Sequence, residues 1–350
     1  MDTAAFSHNL QRVREHAPGC RVLAVIKANA YGHGIVTAAR ALAGADAFAV
    51  ARLPEALALR EAGIAARIVL LEGVQDAREL DVAASRGLEL FVHRHEQIDM
   101  LERRRNPPAF RIWLKIDTGM GRLGFRPPDV PRAVARLAAC RSVAQPPLLA
   151  THLAESELRG NARTRAQLGR FAQATAGLPG ERSIANSAGL VAWPEARADW
   201  VRPGIMLYGV SPFPGSNGAE LGLRPVMTFE TTVIAVKDIA AGERVGYGGA
   251  WTAPAPARIA IAAAGYGDGY PRSAPNGTPV LVKGRAAALV GRVSMDMLAT
   301  DVSGRGDVVP GDPVQLWGPA LPVERVAGAA GTIGYELICR VSRRVPHEVT

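Results

Sequence analysis

The sequence lacks the features that mark membrane-spanning and secreted proteins. Its longest uncharged stretches, such as residues 203–219, are interrupted by proline and glycine, so no apolar run is long enough to cross a bilayer. Met1-Asp2-Thr3 has an acid where a secretory signal carries basic residues, and no apolar segment follows it. We therefore expect a cytoplasmic protein with no membrane partner.

Cysteine and aromatic residues are also scarce. The three cysteines, Cys20, Cys140 and Cys339, are far apart and lack the spacing of a metal site, so we expect reduced thiols and no metal. Aromatic residues make up 5% of the chain, too few for the stacking surfaces of nucleic-acid-binding proteins. The net charge is +9, but only Arg103-Arg104-Arg105 forms a run. A nucleic-acid partner is not expected.

Lysine is rare for such a basic protein. Of 41 basic residues, 37 are arginine and four are lysine. A lysine amine can lose its proton when buried and act as a nucleophile, whereas arginine stays protonated. Lys237 and Lys283 lie beside turn residues and are interpreted as solvated, but Lys27 and Lys115 each end an apolar run. Lys27 and Lys115 are therefore the candidates for chemistry.

The length of 350 residues predicts about two domains. In the first part, short apolar runs alternate with Ala-, Leu-, Arg- and Glu-rich segments long enough for crossover helices. The predicted strands are residues 22–28, 46–51, 67–72, 88–93, 111–117, 148–152, 183–186 and 200–208. This repetition favours an α/β fold with an N-terminal (β/α)8 TIM-type barrel over an open doubly wound sheet.

The composition of the sequence changes at residues 211–224, which are rich in proline and glycine. We place the barrel in residues 1–215 and a mostly-β domain in residues 216–350. The predicted strands of the second domain are residues 226–236, 257–264, 279–282, 286–290, 307–309 and 314–316. One longer helical segment is predicted there, around residues 323–330.

The active site of such a barrel lies at the carboxyl ends of its strands. Lys27 ends the apolar run 22–26, so it is expected at the mouth of the barrel, although it could instead point outward to solvent. Small or polar loops follow other strands at residues 118–124, 151–152, 185–189 and 201–205. Each loop alone could be an ordinary turn. Together they place a lysine, two arginines, a histidine and loops suited to a phosphate around one rim, which favours a Schiff-base cofactor that carries a phosphate.

Eight segments carry a resemblance to a known family. They are residues 24–34 (AVIKANAYGHG), 115–124 (KIDTGMGRLG), 186–187 (NS), 202–209 (RPGIMLYG), 245–248 (VGYG), 265–269 (GYGDG), 291–297 (GRVSMDM) and 335–336 (YE). In order and spacing they resemble the alanine racemases over nearly the whole chain. The resemblance implies a barrel followed by a β domain, pyridoxal 5'-phosphate as cofactor, and interconversion of L-alanine and D-alanine.

The resemblance also implies roles for individual residues around the cofactor. Lys27 would hold the cofactor as a Schiff base and act as one of two catalytic bases. Arg202 would face the pyridine nitrogen and be oriented by His152, and Arg122 would lie near the phenolic oxygen and the substrate. The residues implied around the cofactor phosphate are Tyr31, Asn186, Ser187, Gly204, Ile205 and Tyr335.

In the second domain, Tyr247 matches the second catalytic base. Tyr266, Met295 and Asp296 match residues at the substrate entrance and at the end that binds the substrate carboxylate. In the family, such residues reach the cofactor of the other subunit. The resemblance therefore implies a head-to-tail homodimer with shared active sites.

Three features stay open or depart from the family. Lys115 matches a lysine that is often carbamylated, but it could equally be a plain lysine beside an acid. The chain starts almost at its first helix, where the family usually has a strand; if that strand is absent, we expect one uncovered edge in the β domain. Gly267 stands where alanine is common.

Two other functions are compatible with the same scaffold. One is a racemase of broader specificity, which the bulky Tyr266 and Met295 at the entrance argue against. The other is a non-catalytic pyridoxal-phosphate carrier, but single-barrel carriers lack a β domain and hence Tyr247. Retention of both domains favours catalysis.

Overall fold

A computed structural model of the protein describes residues 1–104 and 108–350, so Arg105 of the predicted arginine run lies outside the described residues. The N-terminal part is a closed barrel of eight parallel strands in sequential order, with β1 paired to β8. The strands are β1 (Arg21–Val25), β2 (Ala47–Val50), β3 (Ile68–Leu70), β4 (Glu89–Val92), β5 (Phe110–Lys115), β6 (Val143–Ala150), β7 (Arg182–Asn186) and β8 (Trp200–Arg202). The predicted (β/α)8 barrel is confirmed.

Helices precede, connect and surround these strands. They are α1 (Thr3–His16), α2 (Lys27–Tyr31), α3 (Ile35–Ala41), α4 (Leu53–Glu61), α5 (Ala77–Ser85), α6 (His95–Arg103), α7 (Val130–Ala139), α8 (Ala162–Ala174) and α9 (Ser187–Ala192). Within the described residues no helix combines the length and apolar character needed to cross a bilayer.

The base of the barrel is closed by aromatic and ionic contacts. Trp113 and Trp200 meet edge to face, with ring centroids 5.3 Å apart. The buried carboxylate of Glu89, at the start of β4, accepts hydrogen bonds from Trp113 Nε1 at 2.8 Å and from Arg67 Nε at 2.6 Å. Because this end is filled, access to the interior is from the carboxyl ends of the strands.

Two predicted barrel strands have different bounds. The eighth ends at Arg202 rather than at residue 208, because the Pro203-Gly204 pair interrupts it and Ile205–Tyr208 forms a 3-10 turn. The sixth begins at Val143 rather than at residue 148, since it continues through two prolines with a shift in its register against β5.

The C-terminal part contains a second closed barrel, in the strand order β12-β15-β14-β13-β16-β9. Its strands and an additional two-stranded ribbon are β9 (Phe229–Ile239), β10 (Arg244–Val245), β11 (Trp251–Thr252), β12 (Ala257–Ala262), β13 (Pro279–Val282), β14 (Arg285–Val290), β15 (Leu298–Asp301) and β16 (Pro313–Trp317). The expected uncovered edge is wrong, because β9 pairs with both β12 and β16 and closes the sheet.

One predicted strand of this domain is also wrong. Residues 307–309 lie among turns between Gly304 and Gly311, whose positive φ angles of 74° and 96° interrupt an extended chain. The prediction missed β15, which pairs with β12 and β14, and the short strands β10 and β11, which pair with each other.

Two helices, α10 (Val323–Ala329) and α11 (Gly334–Arg340), complete the fold. Helix α11 packs against the chain that leaves β1: a Cβ atom on Gly32 would lie 2.2 Å from the Ile338 carbonyl oxygen. Glycine at position 32 permits this close approach. As a result, the C-terminal domain brings Tyr335 and Cys339 to the mouth of the N-terminal barrel.

Candidate active site

A cavity of about 470 Å³ opens at the carboxyl ends of the barrel strands. Its size suits a small cofactor together with an amino acid. All of the barrel and α11 residues that the sequence predicts near the cofactor line it: Lys27, Tyr31, Lys115, Arg122, His152, Asn186, Ser187, Arg202, Gly204, Ile205 and Tyr335. The predicted outward alternative for Lys27 is therefore wrong.

Lys27 begins an unusual turn of backbone. The four residues after it, Ala28 to Tyr31, have φ angles of 53°, 52°, 53° and 50°, which form one left-handed turn without glycine. Left-handed backbone costs an L-amino acid about 1–2 kcal/mol per residue. Surrounding contacts hold the turn in place: Ala28 N donates to Glu55 Oε1 at 2.6 Å and Ile35 N donates to Asn29 Oδ1 at 3.0 Å.

The turn directs Tyr31 to a cluster of hydroxyl groups and backbone amides. A Cβ atom on Gly204 would lie 2.5 Å from Tyr31 Oη, so only glycine leaves room for the tyrosine. Gly204 N donates to Ser187 Oγ at 2.9 Å, and the rings of Tyr31 and Tyr335 lie 6.1 Å apart. These groups form a polar end of the cavity that can surround a phosphate.

Arg202 is buried and is held by neutral acceptors. Its Nη1 donates to Ser183 Oγ at 2.6 Å, and its Nη2 donates to the carbonyl oxygens of Thr151 at 2.5 Å and Ile184 at 3.1 Å. His152 Nδ1 lies 3.4 Å from the same Nη2. Burial lowers the pKa of Arg202 to about 10, which leaves the guanidinium charged at neutral pH.

The cavity concentrates positive charge. Lys27, Lys115, Arg122 and Arg202 all line it. Burial lowers the pKa of Lys27, and nearby Arg122 lowers it further. Burial also holds the pKa of Lys115 well below its usual value, with contributions from Arg202, Arg122 and Lys27. Two amines with lowered pKa values are therefore available as nucleophiles or bases in one cavity.

His152 is neutral because of burial and nearby positive charge. Its pKa lies well below the usual value because the ring is buried and because Lys115, Arg202 and Arg122 are close. A neutral imidazole can accept a hydrogen bond through Nδ1. His152 can therefore accept from Arg202.

Arg122 is presented by a turn that follows β5. Asp117 Oδ1 accepts hydrogen bonds from the backbone amides of Gly119, Met120 and Gly121 at 2.9, 2.9 and 3.1 Å. These amides lower the pKa of Asp117 against the opposing effect of its burial. The carboxylate therefore organises the loop as an ion.

Four predicted residues of the second domain do not line this cavity: Tyr247, Tyr266, Met295 and Asp296. Tyr247 lies between β10 and β11 with 68% of its surface exposed, and Met295 is 53% exposed. Tyr266 is also exposed, and Asp296 forms an ion pair with Arg344. Within one chain, these residues and Lys27 do not line the same cavity.

Sequence reasoning missed several residues of the site. Glu72, Asp117, Met120 and Cys339 line the cavity but were not predicted there. Glu72 and Asp117 are the last residues of predicted strands, and that position could have placed them at the mouth of the barrel. Cys339 had no such signal, because its position depends on the packing of α11.

Sequence comparison identifies relatives over the whole chain. Family models described as the N-terminal and C-terminal domains of alanine racemase match residues 1–212 and 226–349. The alanine racemase of Aeromonas hydrophila is 52% identical over 345 residues, covering 99% of this chain and 97% of that protein. The biosynthetic alanine racemase of Escherichia coli is 48% identical over 342 residues, covering 97% and 95%.

Solved structures of alanine racemases are also similar to this chain over its whole length. The biosynthetic alanine racemase of Pseudomonas aeruginosa has a TM-score of 0.97 and 45% identity, covering 100% of this chain and 98% of that one. The Bartonella henselae alanine racemase, solved with covalently bound pyridoxal phosphate, has a TM-score of 0.91 and 30% identity, with coverage of 100% and 98%. From its sequence, its fold and its cavity, the chain belongs to the alanine racemase family.

Proposed function

We propose that the protein is an isomerase that interconverts L-alanine and D-alanine with pyridoxal 5'-phosphate. The observation that carries this proposal is the position of Lys27, a buried amine with a lowered pKa, in a cavity it shares with Arg202 and a polar end built around Gly204. Membership of the alanine racemase family supports the same reaction.

The residues of the cavity fit this cofactor. Gly204 leaves room for the hydroxyl of Tyr31, which a Cβ atom would displace, and the hydroxyl of Ser187 accepts from Gly204 N. With the amides of Gly204 and Ile205, these groups can hold a phosphate, while Lys27 Nζ would hold the aldehyde carbon covalently. Asn186 Oδ1 accepts from Gly189 N at 2.9 Å and so begins helix α9 beside Ser187.

When bound, pyridoxal phosphate withdraws electrons from the amino acid and makes its Cα proton acidic. Lys27 Nζ, freed when the substrate amine takes its place, would remove or return that proton on the face that handles the D-enantiomer. Arg202 is charged and is fixed by its carbonyl and hydroxyl partners, so it would donate a hydrogen bond to the pyridine nitrogen and keep its own proton. By keeping that proton, Arg202 would leave the electron withdrawal weaker than an acidic residue would, and so would restrain side reactions such as transamination.

A second base is needed on the opposite face, and we propose Tyr247 from a second subunit. The exposure of Tyr247, Tyr266, Met295 and Met297 on the β domain supports this arrangement, because large apolar side chains at a free surface indicate an interface. In the proposed head-to-tail homodimer, Tyr247 Oη handles the proton on the L face. Met295 and Asp296 lie at the carboxylate end of the substrate.

We further propose that Lys115 is carbamylated. A buried amine with a strongly lowered pKa is the uncharged nucleophile that adds carbon dioxide and releases a proton, and the carbamate would place an anion beside the guanidinium groups of Arg122 and Arg202. Intact-mass measurement at neutral pH is expected to show the mass of the added carbon dioxide, and this added mass should be absent from Lys115→Ala. An unmodified mass at saturating bicarbonate would contradict this proposal.

The function is tested by a racemisation assay across alanine, serine, lysine and arginine with added cofactor. We expect rapid racemisation of alanine and little of the larger amino acids, because Tyr266 and Met295 leave little space for a side chain. Comparable rates with several amino acids would indicate a racemase of broader specificity. Cofactor binding without racemisation would indicate a carrier.

Two further predictions from the sequence stay proposals. The boundary between the domains is placed at residues 215 and 216. A cytoplasmic location agrees with three free cysteine thiols, Cys20, Cys140 and Cys339, which a reducing compartment would keep unpaired. Fractionation of the cells that express the protein tests the location.

A further inference from the structure

An ionic contact outside the cavity joins two loops of the C-terminal domain. Arg344 Nε donates to Asp268 Oδ1 at 2.7 Å, and its Nη2 donates to Asp296 Oδ1 at 2.7 Å. The same Nη2 lies 3.5 Å from the carbonyl oxygen of Met295. One guanidinium therefore connects two chain segments that are distant in sequence.

The two segments are also joined through their backbones. Tyr266 N donates to Ser294 O at 3.0 Å, and Gly267 N donates to Met295 O at 2.8 Å. We call residues 265–270 the first loop and residues 294–297 the second loop. The first loop carries Tyr266 and the second loop carries Met295, so any relative shift of the loops changes the spacing of these two side chains.

Gly267 makes the contact of Arg344 possible. A Cβ atom at position 267 would lie 2.8 Å from Arg344 Nη2 and 3.0 Å from the carbonyl oxygen of Met295. The first distance is shorter than side-chain atoms tolerate, so an alanine would displace either the guanidinium or the second loop. Gly267, which stands where alanine is common in the family, therefore leaves the space that the Arg344 guanidinium occupies.

We propose that Arg344 is a positioning residue for substrate binding, which joins the two loops and neutralises the carboxylates of Asp268 and Asp296 at the rim. This inference rests on the proposed function, in which the second loop lies at the carboxylate end of the substrate in the partner's cavity. Without Arg344, two carboxylates would carry uncompensated charge there and would repel the carboxylate of alanine.

The kinetic test compares Arg344→Gln with Arg344→Lys and with Arg343→Gln, a control that removes an equal charge from the adjacent exposed position. Arg344→Gln is expected to raise KM for alanine by about five-fold with little change in kcat, as for the loss of two partly exposed ion pairs. The increase should shrink at high salt, which screens the exposed carboxylates. Arg344→Lys keeps the positive charge but lacks the planar guanidinium that contacts both carboxylates, so its KM should lie between those of the wild type and Arg344→Gln.

A double-mutant cycle tests the link to Gly267. Gly267→Ala should raise KM in the same direction as Arg344→Gln, and the double variant should be no worse than the poorer single variant. Additive effects would show that the two residues act independently and would overturn the proposed space for the guanidinium.

Hydrogen exchange gives a readout that does not depend on racemisation. In Arg344→Gln, peptides that cover both loops should exchange faster than in Arg343→Gln, while peptides from β1 to β8 should not change. Unchanged exchange in the loops overturns the proposed link between them through Arg344, whether or not the wild-type protein racemises alanine. Failure of the wild-type protein to racemise alanine would by itself refute only the proposed function. Faster exchange with an unchanged KM overturns the positioning role.

Discussion

The left-handed turn after Lys27 leads to an unusual prediction for the substitution Ala28→Gly. Ala28 is exposed and has a φ of 53°. Its backbone N–H donates to Glu55, and glycine would keep that bond. The substitution therefore changes backbone freedom and little else.

The magnitude follows from two opposing effects. Glycine removes the cost of about 1–2 kcal/mol that an L-residue meets in left-handed backbone. It also gives the unfolded chain more freedom, which costs the folded state about 0.4–1 kcal/mol. The net expectation for Ala28→Gly is a gain of about 0.5–1 kcal/mol in the free energy of unfolding.

Ala135→Gly is the matched control. Ala135 is also exposed, but it lies in the interior of the right-handed helix α7. Glycine there costs about 1 kcal/mol. The same chemical change should therefore have opposite signs at the two positions, with a difference of about 1.5–2 kcal/mol.

Urea-induced unfolding followed by circular dichroism, at one fixed saturating cofactor concentration, measures the difference. Both variants should keep the slope of the wild-type transition, so that the shift in midpoint reports stability. If Ala28→Gly loses as much stability as Ala135→Gly, the turn is not under left-handed strain in solution and the reasoning is refuted.

Three other predictions concern the site and its surroundings. Gly204→Ala, whose Cβ would lie 2.5 Å from Tyr31 Oη, should weaken cofactor binding at least ten-fold in an absorbance titration, whereas Gly169→Ala, which has open space around it, should not. Tyr247→Phe should slow conversion of L-alanine about 10²–10⁴-fold while cofactor absorbance is retained, and normal racemisation would rule out Tyr247 as a base. Burial lowers the pKa of His33 to about 4, so its neutral ring stabilises the fold fully above pH 6.5 and loses that contribution as the pH falls toward 4. His33→Phe should reduce the loss of unfolding free energy between pH 7 and 4.5 by about 2–3 kcal/mol, and an unchanged pH dependence would contradict this.

The sequence predicted most of the barrel and the cavity because both depend on local patterns. Each strand is a short apolar run, and Lys27 directly follows β1 while Arg202 ends β8. The carboxyl ends of parallel strands meet at one face of a barrel, so residues at those ends are brought together without knowledge of their contacts.

Features that depend on contacts between distant segments could not be predicted in this way. The acceptors of Arg202 include the carbonyl oxygens of Thr151 and Ile184, whose positions are set by the register between strands. The Ala-Asn-Ala stretch after Lys27 contains no glycine, so the sequence does not predict a left-handed turn there. The surrounding fold imposes that conformation. Cys339 reaches the cavity because α11 packs on Gly32.

The prediction of strands in the C-terminal domain was less successful for a related reason. The wrong strand at residues 307–309 contains two valines, but glycines on both sides form turns. β15 is a short run, Leu298–Asp301, that alternates buried and partly buried residues between two partner strands. Pairing between neighbouring strands decides such short segments more than their own composition does.

The central claim is that the amine of Lys27 holds pyridoxal phosphate in this cavity. Reduction of the purified protein with borohydride, followed by proteolysis and mass mapping of the peptides, tests it directly. We predict a pyridoxyl group on the peptide that contains Lys27 and on no other lysine peptide. A reduced adduct at Lys115 or elsewhere, or no adduct after incubation with the cofactor, would contradict the account.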